Sequence, residues 1–116
     1  MMSWRKWLKC VSALIAVMGP GLVGAQAQDT ASAAAGKQVF DKWCAPCHSP
    51  GPGMPGTAAL QALYDGQKPA ALEERTDLVP ELTRTFVRNG VSVMPFFRKT
   101  EISDAELDAL AEYLAP

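Results

Sequence analysis

The sequence predicts a small all-α domain, and three observations carry that prediction. No alternation of apolar and polar residues long enough for a half-buried strand occurs. About four segments combine helical apolar spacing with recognisable start or stop signals. The nine Gly and nine Pro cluster largely between those segments, where they make loops.

Length and charge set the frame. The chain has 116 residues, 48% hydrophobic and 20% charged, which suits one globular domain. A net charge of −1 provides no broad basic surface, so nucleic acid is not an expected partner. Residues 1–27 read as an export signal. Arg5, Lys6 and Lys9 form a basic start, 11–23 is apolar but broken by Gly19, Pro20 and Gly21, and Ala25-Gln26-Ala27 has the small-x-small form of a cleavage site. Cleavage is expected after Ala27, or alternatively after Ala25, leaving a domain over 28–116 in the periplasm of a bacterium, without a membrane span.

The leader takes Cys10 and three basic residues with it. The 89 remaining residues carry a net charge of −4, one cysteine pair and only seven aromatic side chains. So small a set buries a marginal core, and such domains are usually completed by a disulfide, metal or cofactor.

The helices follow in order. Residues 31–43 are alanine-rich, with Thr30 or Ser32 as cap and Val39, Phe40 and Trp43 at i, i+3, i+4 spacing. Alternating Pro and Gly exclude regular structure over 49–56. Thr57 then caps a short helix to Tyr64, stopped near Gly66, and 69–77 is a loop with one helical turn. Pro80 and Glu81 open the next helix and Asn89-Gly90 close it, with Leu82, Phe86 and Val79 on its inner face. An irregular loop over 91–100 contains Met94-Pro95. Ser103-Asp104-Ala105-Glu106 is a capping-box pattern, Ile102 can staple the entry, and Leu107, Leu110 and Leu114 form the stripe of the last helix.

Cys44-Ala45-Pro46-Cys47-His48 is the C-x-x-C-H pattern of covalent haem attachment. Two thiols three positions apart on one turn can each form a thioether with a porphyrin vinyl group, and the next residue presents an imidazole to the iron. One haem c is the expected cofactor. His48 is the only histidine, so the opposite axial donor is a methionine. Met54 lies only six residues beyond His48, a short tether for reaching the far side of the ring, whereas Met94 follows a helix and a turn and is stiffened by Pro95. Met94 is the expected ligand.

Two other readings use the same residues. Trp43-Cys44-Ala45-Pro46-Cys47 could serve a thioredoxin-like thiol oxidoreductase, although the Pro/Gly run after His48 forbids the long helix that lowers a thiol pKa there. With Met94 off the iron, the chain would be a five-coordinate haem sensor or peroxidase-like protein, but no distal histidine supports that chemistry.

Together these pieces resemble the class I c-type cytochromes over nearly the whole mature chain. Gly36 and Phe40, C-A-P-C-H, the Pro/Gly loop, V-R-N-G at 87–90, M-P-F-F at 94–97, and Leu110 with Tyr113 carry the likeness. The resemblance implies a small cytochrome c fold wrapped round one haem, with the first and last helices crossing so that Gly36 and Phe40 meet Leu110 and Tyr113. It also implies that a proline carbonyl, Pro55 first and Pro52 second, accepts from the His48 imidazole. Within the class, residues 76–114 resemble cytochrome subunits of flavoprotein hydroxylases of the 4-cresol and eugenol type. The expected function is single-electron transfer from a flavoprotein to a downstream redox carrier, rather than catalysis by the chain itself. Phe86, Phe96 and Phe97 are candidates for the wall around Met94. Arg84, Arg88, Arg98 and Lys99 are candidates for a basic docking ring, and Arg75 or Arg88 for a propionate partner.

Overall fold

The structure, a computed structural model, describes residues 23–116. The predicted leader therefore lies almost wholly outside the described residues. Helix α1 spans Val23–Val39, beginning eight residues before the predicted start. Nothing in the Ala- and Gln-rich stretch before Ala31 breaks a helix, which is why the backbone continues through it.

Beyond Val39 the rod does not stop; it widens. Phe40–Cys44 forms a π-helical turn, closed by the Ala45 amide donating to the Phe40 carbonyl, and Ala45–His48 returns to a single α turn, α2. The turn buries both Phe40 and Cys44 and hands the Cys-Ala-Pro-Cys-His segment to the edge of the core. Turns of this kind are local and frequent at functional sites.

Helix α3 spans Pro55–Tyr64 and ends at Asp65, which adopts a left-handed φ of 48°. A 3₁₀ turn at Leu72–Glu74 is the one helical turn predicted in that loop. Helix α4 spans Pro80–Asn89 and stops at Gly90, whose φ is 70°. Helix α5, Asp104–Leu114, opens with the predicted capping box: Ser103 accepts from the Glu106 amide while the Glu106 carboxylate accepts from the Ser103 amide. Among the described residues there is no strand, only an isolated bridge between Val91 and Met94.

The core sits where α1 crosses α5. Phe40, Ile102 and Leu110 are its largest fully buried side chains, joined by Val39, Cys44, Leu78, Val87, Leu107 and Leu114. Gly36 makes the crossing, for a Cβ there would lie 2.2 Å from the Ala109 carbonyl oxygen and 2.5 Å from Tyr113 Cβ. The Phe40 and Tyr113 rings pack with centroids 6.1 Å apart. The predicted all-α fold and its crossing helices are what the chain forms.

The inner face of α4 differs from expectation. Thr83 and Val87 are buried and Leu82 packs against the core, whereas Phe86 and Val79 are exposed. The helix is turned by the grip of α5: Arg84 reaches across to Asp108 at 2.8 Å and Glu112 at 3.2 Å. Holding Arg84 there brings the adjacent Thr83 and Val87 row inward and swings Phe86 out. Among the described residues no helix is long and apolar enough to cross a membrane.

Candidate functional site

The π turn and α2 display the two cysteines unequally. Cys44 is buried in the core cluster, whereas Cys47, one turn on, is exposed, and neither is in a disulfide. Burial pushes the Cys44 thiol up to about 11. A redox-active thiol needs the opposite shift, and a one-turn helix has little dipole to supply it. The site is therefore poorly suited to thiol–disulfide exchange. Among the described residues no three His, Cys, Asp or Glu side chains converge as metal ligands, so this is no chelating cluster of the zinc type either.

His48 ends α2 with its ring half-buried. Burial lowers its pKa, which keeps the imidazole in the neutral form a metal ligand requires. Its Nδ1 is sealed from solvent and has no hydrogen-bond partner. The bond to a proline carbonyl that the resemblance implies is thus not formed by Pro55 or Pro52. Pro55 opens α3, so its carbonyl belongs to the first turn of that helix.

What touches the ring instead is Gly56. A Cβ at Gly56 would lie 2.6 Å from His48 Cε1, 2.9 Å from Nδ1 and 2.8 Å from the Cys47 carbonyl oxygen. The next residue closes the same corner: Thr57 Oγ1 donates to the Ser49 carbonyl at 2.8 Å and toward the Cys47 carbonyl at 3.4 Å. Thr57 is therefore not the cap of α3, whose N-cap is Met54. Sequence reasoning missed both roles. The sequence offered no signal for them, because it places Gly56 in the Pro/Gly loop rather than in the first turn of α3.

Met94 stands in a loop braced from two sides. Val91 and Met94 exchange backbone hydrogen bonds at 3.1 and 2.9 Å, and the Phe97 amide donates to the Val87 carbonyl at 2.8 Å. Arg88 donates to the Phe97 carbonyl and to Asp104, both at 3.0 Å. Gly90 permits the return, since a Cβ there would meet the Met94 carbonyl oxygen at 2.7 Å. Met94 itself is partly buried against the core cluster that includes Cys44. Of the three candidate wall residues only Phe97 packs inward, edge-on to Trp43 at 5.7 Å, while Phe86 and Phe96 are exposed. The loop's own turn, with Ser92 at a φ of 52°, carries the latter outward.

The proposed basic ring is also altered. Arg84 pairs with Asp108, Glu112 and Glu81, Arg88 and Lys99 with Asp104, and Arg98 with Glu101. Each cation has an acidic neighbour from α4, α5 or the turn before it, so their fields largely cancel. Arg75 is similarly committed, with Nε and Nη2 donating to Asp77 at 2.7 Å and Nη1 to the Tyr64 hydroxyl at 2.5 Å.

The donor set fits an iron porphyrin. Two unpaired thiols stand three positions apart across the junction of the π turn and α2, the imidazole follows directly with Nδ1 sealed, and a thioether stands on a braced loop. The comparisons with known proteins agree. The family described as cytochrome c oxidase, cbb3-type, subunit III matches residues 31–114. The 4-cresol dehydrogenase [hydroxylating] cytochrome c subunit of Pseudomonas putida is 28% identical over 109 residues, covering 90% of this chain and 80% of that protein. No solved structure gives a significant match.

Proposed function

The chain belongs to the cytochrome c family matched over residues 31–114, and from that premise we propose that it is an exported, mono-haem electron carrier serving a flavoprotein. Its electron-transfer character follows from the family; the proposal adds a leader at 1–27, a domain over 28–116, a periplasmic location and the redox partners. The single observation that carries the haem assignment is the seat of the motif. The π turn ends with Cys44 against the core, and the α turn that follows holds Cys47 at the surface and His48 with one ring nitrogen sealed.

Haem c, when bound, supplies a one-electron couple at its iron. Cys44 and Cys47 would hold it through thioethers, at the end of the rod that crosses α5. His48 offers a neutral imidazole, whose Nε2 would be the ligating atom. Met94 offers a sulfur that favours the reduced metal and raises the potential, and the bracing of its loop keeps that sulfur in place. Were His48 and Met94 both to hold the iron, no position on it would remain for a substrate, and the chain would carry electrons rather than catalyse a reaction.

The donor proposed is a flavoprotein dehydrogenase or hydroxylase subunit, by likeness to the Pseudomonas putida cytochrome subunit. A reduced flavin holds two electrons and this carrier takes one at a time, so two transfers to a downstream carrier complete each flavin cycle. A haem stain on a denaturing gel tests the attachment directly. A colourless band from exported protein overturns the reading.

A further inference from the structure

Gly56 is the second residue of α3 and has no left-handed φ, so its backbone would accept an alanine without strain. The space would not. A Cβ would stand within 3 Å of two ring atoms of His48 and of the Cys47 carbonyl oxygen, all closer than real Cβ contacts. Helix propensity favours alanine over glycine at an ordinary helical position. The glycine is therefore kept by what lies opposite it. Thr57 adds the second hold, since its hydroxyl spans from α3 to the carbonyls that end α2. His48 makes no hydrogen bond at Nδ1, so the close contact its ring has on this side is the Gly56 backbone.

We propose that Gly56 and Thr57 are the positioning residues for the axial imidazole: Gly56 gives the ring a flat backbone wall, and Thr57 locks α3 to α2 so that the wall cannot withdraw. This rests on the reading of His48 as an axial ligand. A ring pushed off its wall presents Nε2 to the iron along a different line, which weakens the ligand field without removing the ligand.

The test uses the full-length, haem-loaded protein and compares Gly56→Ala, Gly53→Ala, Thr57→Val and Thr57→Ser with wild type. Gly53 lies in the same loop at a φ of 83° with nothing within 4 Å of a Cβ, so it controls for general loop strain. Gly56→Ala is expected to convert part of the ferric protein to high spin and to shift the midpoint potential, with Gly53→Ala keeping the wild-type spectrum. Thr57→Val is expected to shift the same two readouts less, and Thr57→Ser to restore them. A Gly56→Ala protein with wild-type spectrum and potential overturns the proposal, as does the same change in Gly53→Ala. Should Gly56→Ala fail to mature, the Thr57 pair decides: a shift in Thr57→Val recovered in Thr57→Ser supports the proposal, and a silent Thr57→Val overturns it. Wild-type protein without covalent haem overturns the parent reading; a normal low-spin wild type with silent variants overturns this inference alone.

Discussion

Replacing Gly36 with alanine should loosen the whole domain from one point. The new methyl carbon would lie 2.2 Å from the Ala109 carbonyl oxygen, 2.8 Å from the Ala109 carbonyl carbon and 2.5 Å from Tyr113 Cβ. Ordinary contact is about 3.5–4 Å, so α1 and α5 must part by more than about 1 Å at the crossing. No rotamer relieves this, because two of the three atoms are α5 backbone and the third is the first side-chain carbon. Overpacking of this kind costs about 1–3 kcal/mol. Separation also thins the contact of Phe40 with Tyr113 and Leu110, while the better helix propensity of alanine returns up to ~1 kcal/mol. The net expectation is a loss of about 2 kcal/mol, or roughly 8–15 °C in the melting temperature of a domain this size. Thermal unfolding of the haem-loaded protein by far-ultraviolet circular dichroism measures it, with Gln38→Ala, exposed on the same helix, as control. A Gly36→Ala protein melting at or above wild type would refute the close crossing.

Further substitutions reach the other links. Met94→Ala should open an axial position, let carbon monoxide bind the reduced protein readily, and lower the midpoint potential by on the order of 0.2 V, within the roughly 0.8 V that axial ligation spans; an unchanged ferric spectrum assigns the ligand elsewhere. Ser103→Ala removes the capping box of α5 and should cost about 1 kcal/mol in a denaturant titration. Asp77 has its pKa held below the ordinary carboxylate value by hydrogen bonds from Arg75 and then Lys68. Its stabilisation is therefore complete above the unfolded value, about pH 3.9, and lost as pH falls through the lower folded value. Asp77→Asn should be less stable than wild type at neutral pH and converge with it in strong acid; parallel stability curves would show that the pairing contributes nothing. Because Arg84, Arg88, Arg98 and Lys99 are paired internally, reduction by a flavoprotein donor should depend weakly on salt, and a steep stopped-flow salt dependence would contradict that cancellation.

The sequence made the helices legible wherever local chemistry determines them. Ser103 with Glu106 and Asn89-Gly90 act within a few residues, and the structure has the predicted start and stop at each. The predicted loop over 49–56 instead ends early, because Pro55, a favoured first helical residue, opens α3 two residues before Thr57. The crossing of Gly36 with α5 was legible only through resemblance, since nothing local shows which helix a glycine faces. The inner face of α4 was misread because Phe86 outweighs Thr83 in hydrophobicity, while the contest is decided by Arg84 reaching two carboxylates on another helix. The same non-local pairing removed the basic ring. The motif residues were plain from spacing, but their support was not. Gly56 and Thr57 act on His48 across a loop, and only the folded backbone brings them to it.

The five-residue turn at Phe40–Cys44 has a consequence for how this segment can vary. Each residue advances an α-helix by about 100°, so one residue more or fewer between Gly36 and Cys44 would rotate the attachment turn by about that angle relative to the crossing. The rod would then act as a phase setter, with one end indexed to α5 and the other to the Cys-Ala-Pro-Cys-His turn, and a change in its length would cost more than an exchange of side chains of similar bulk.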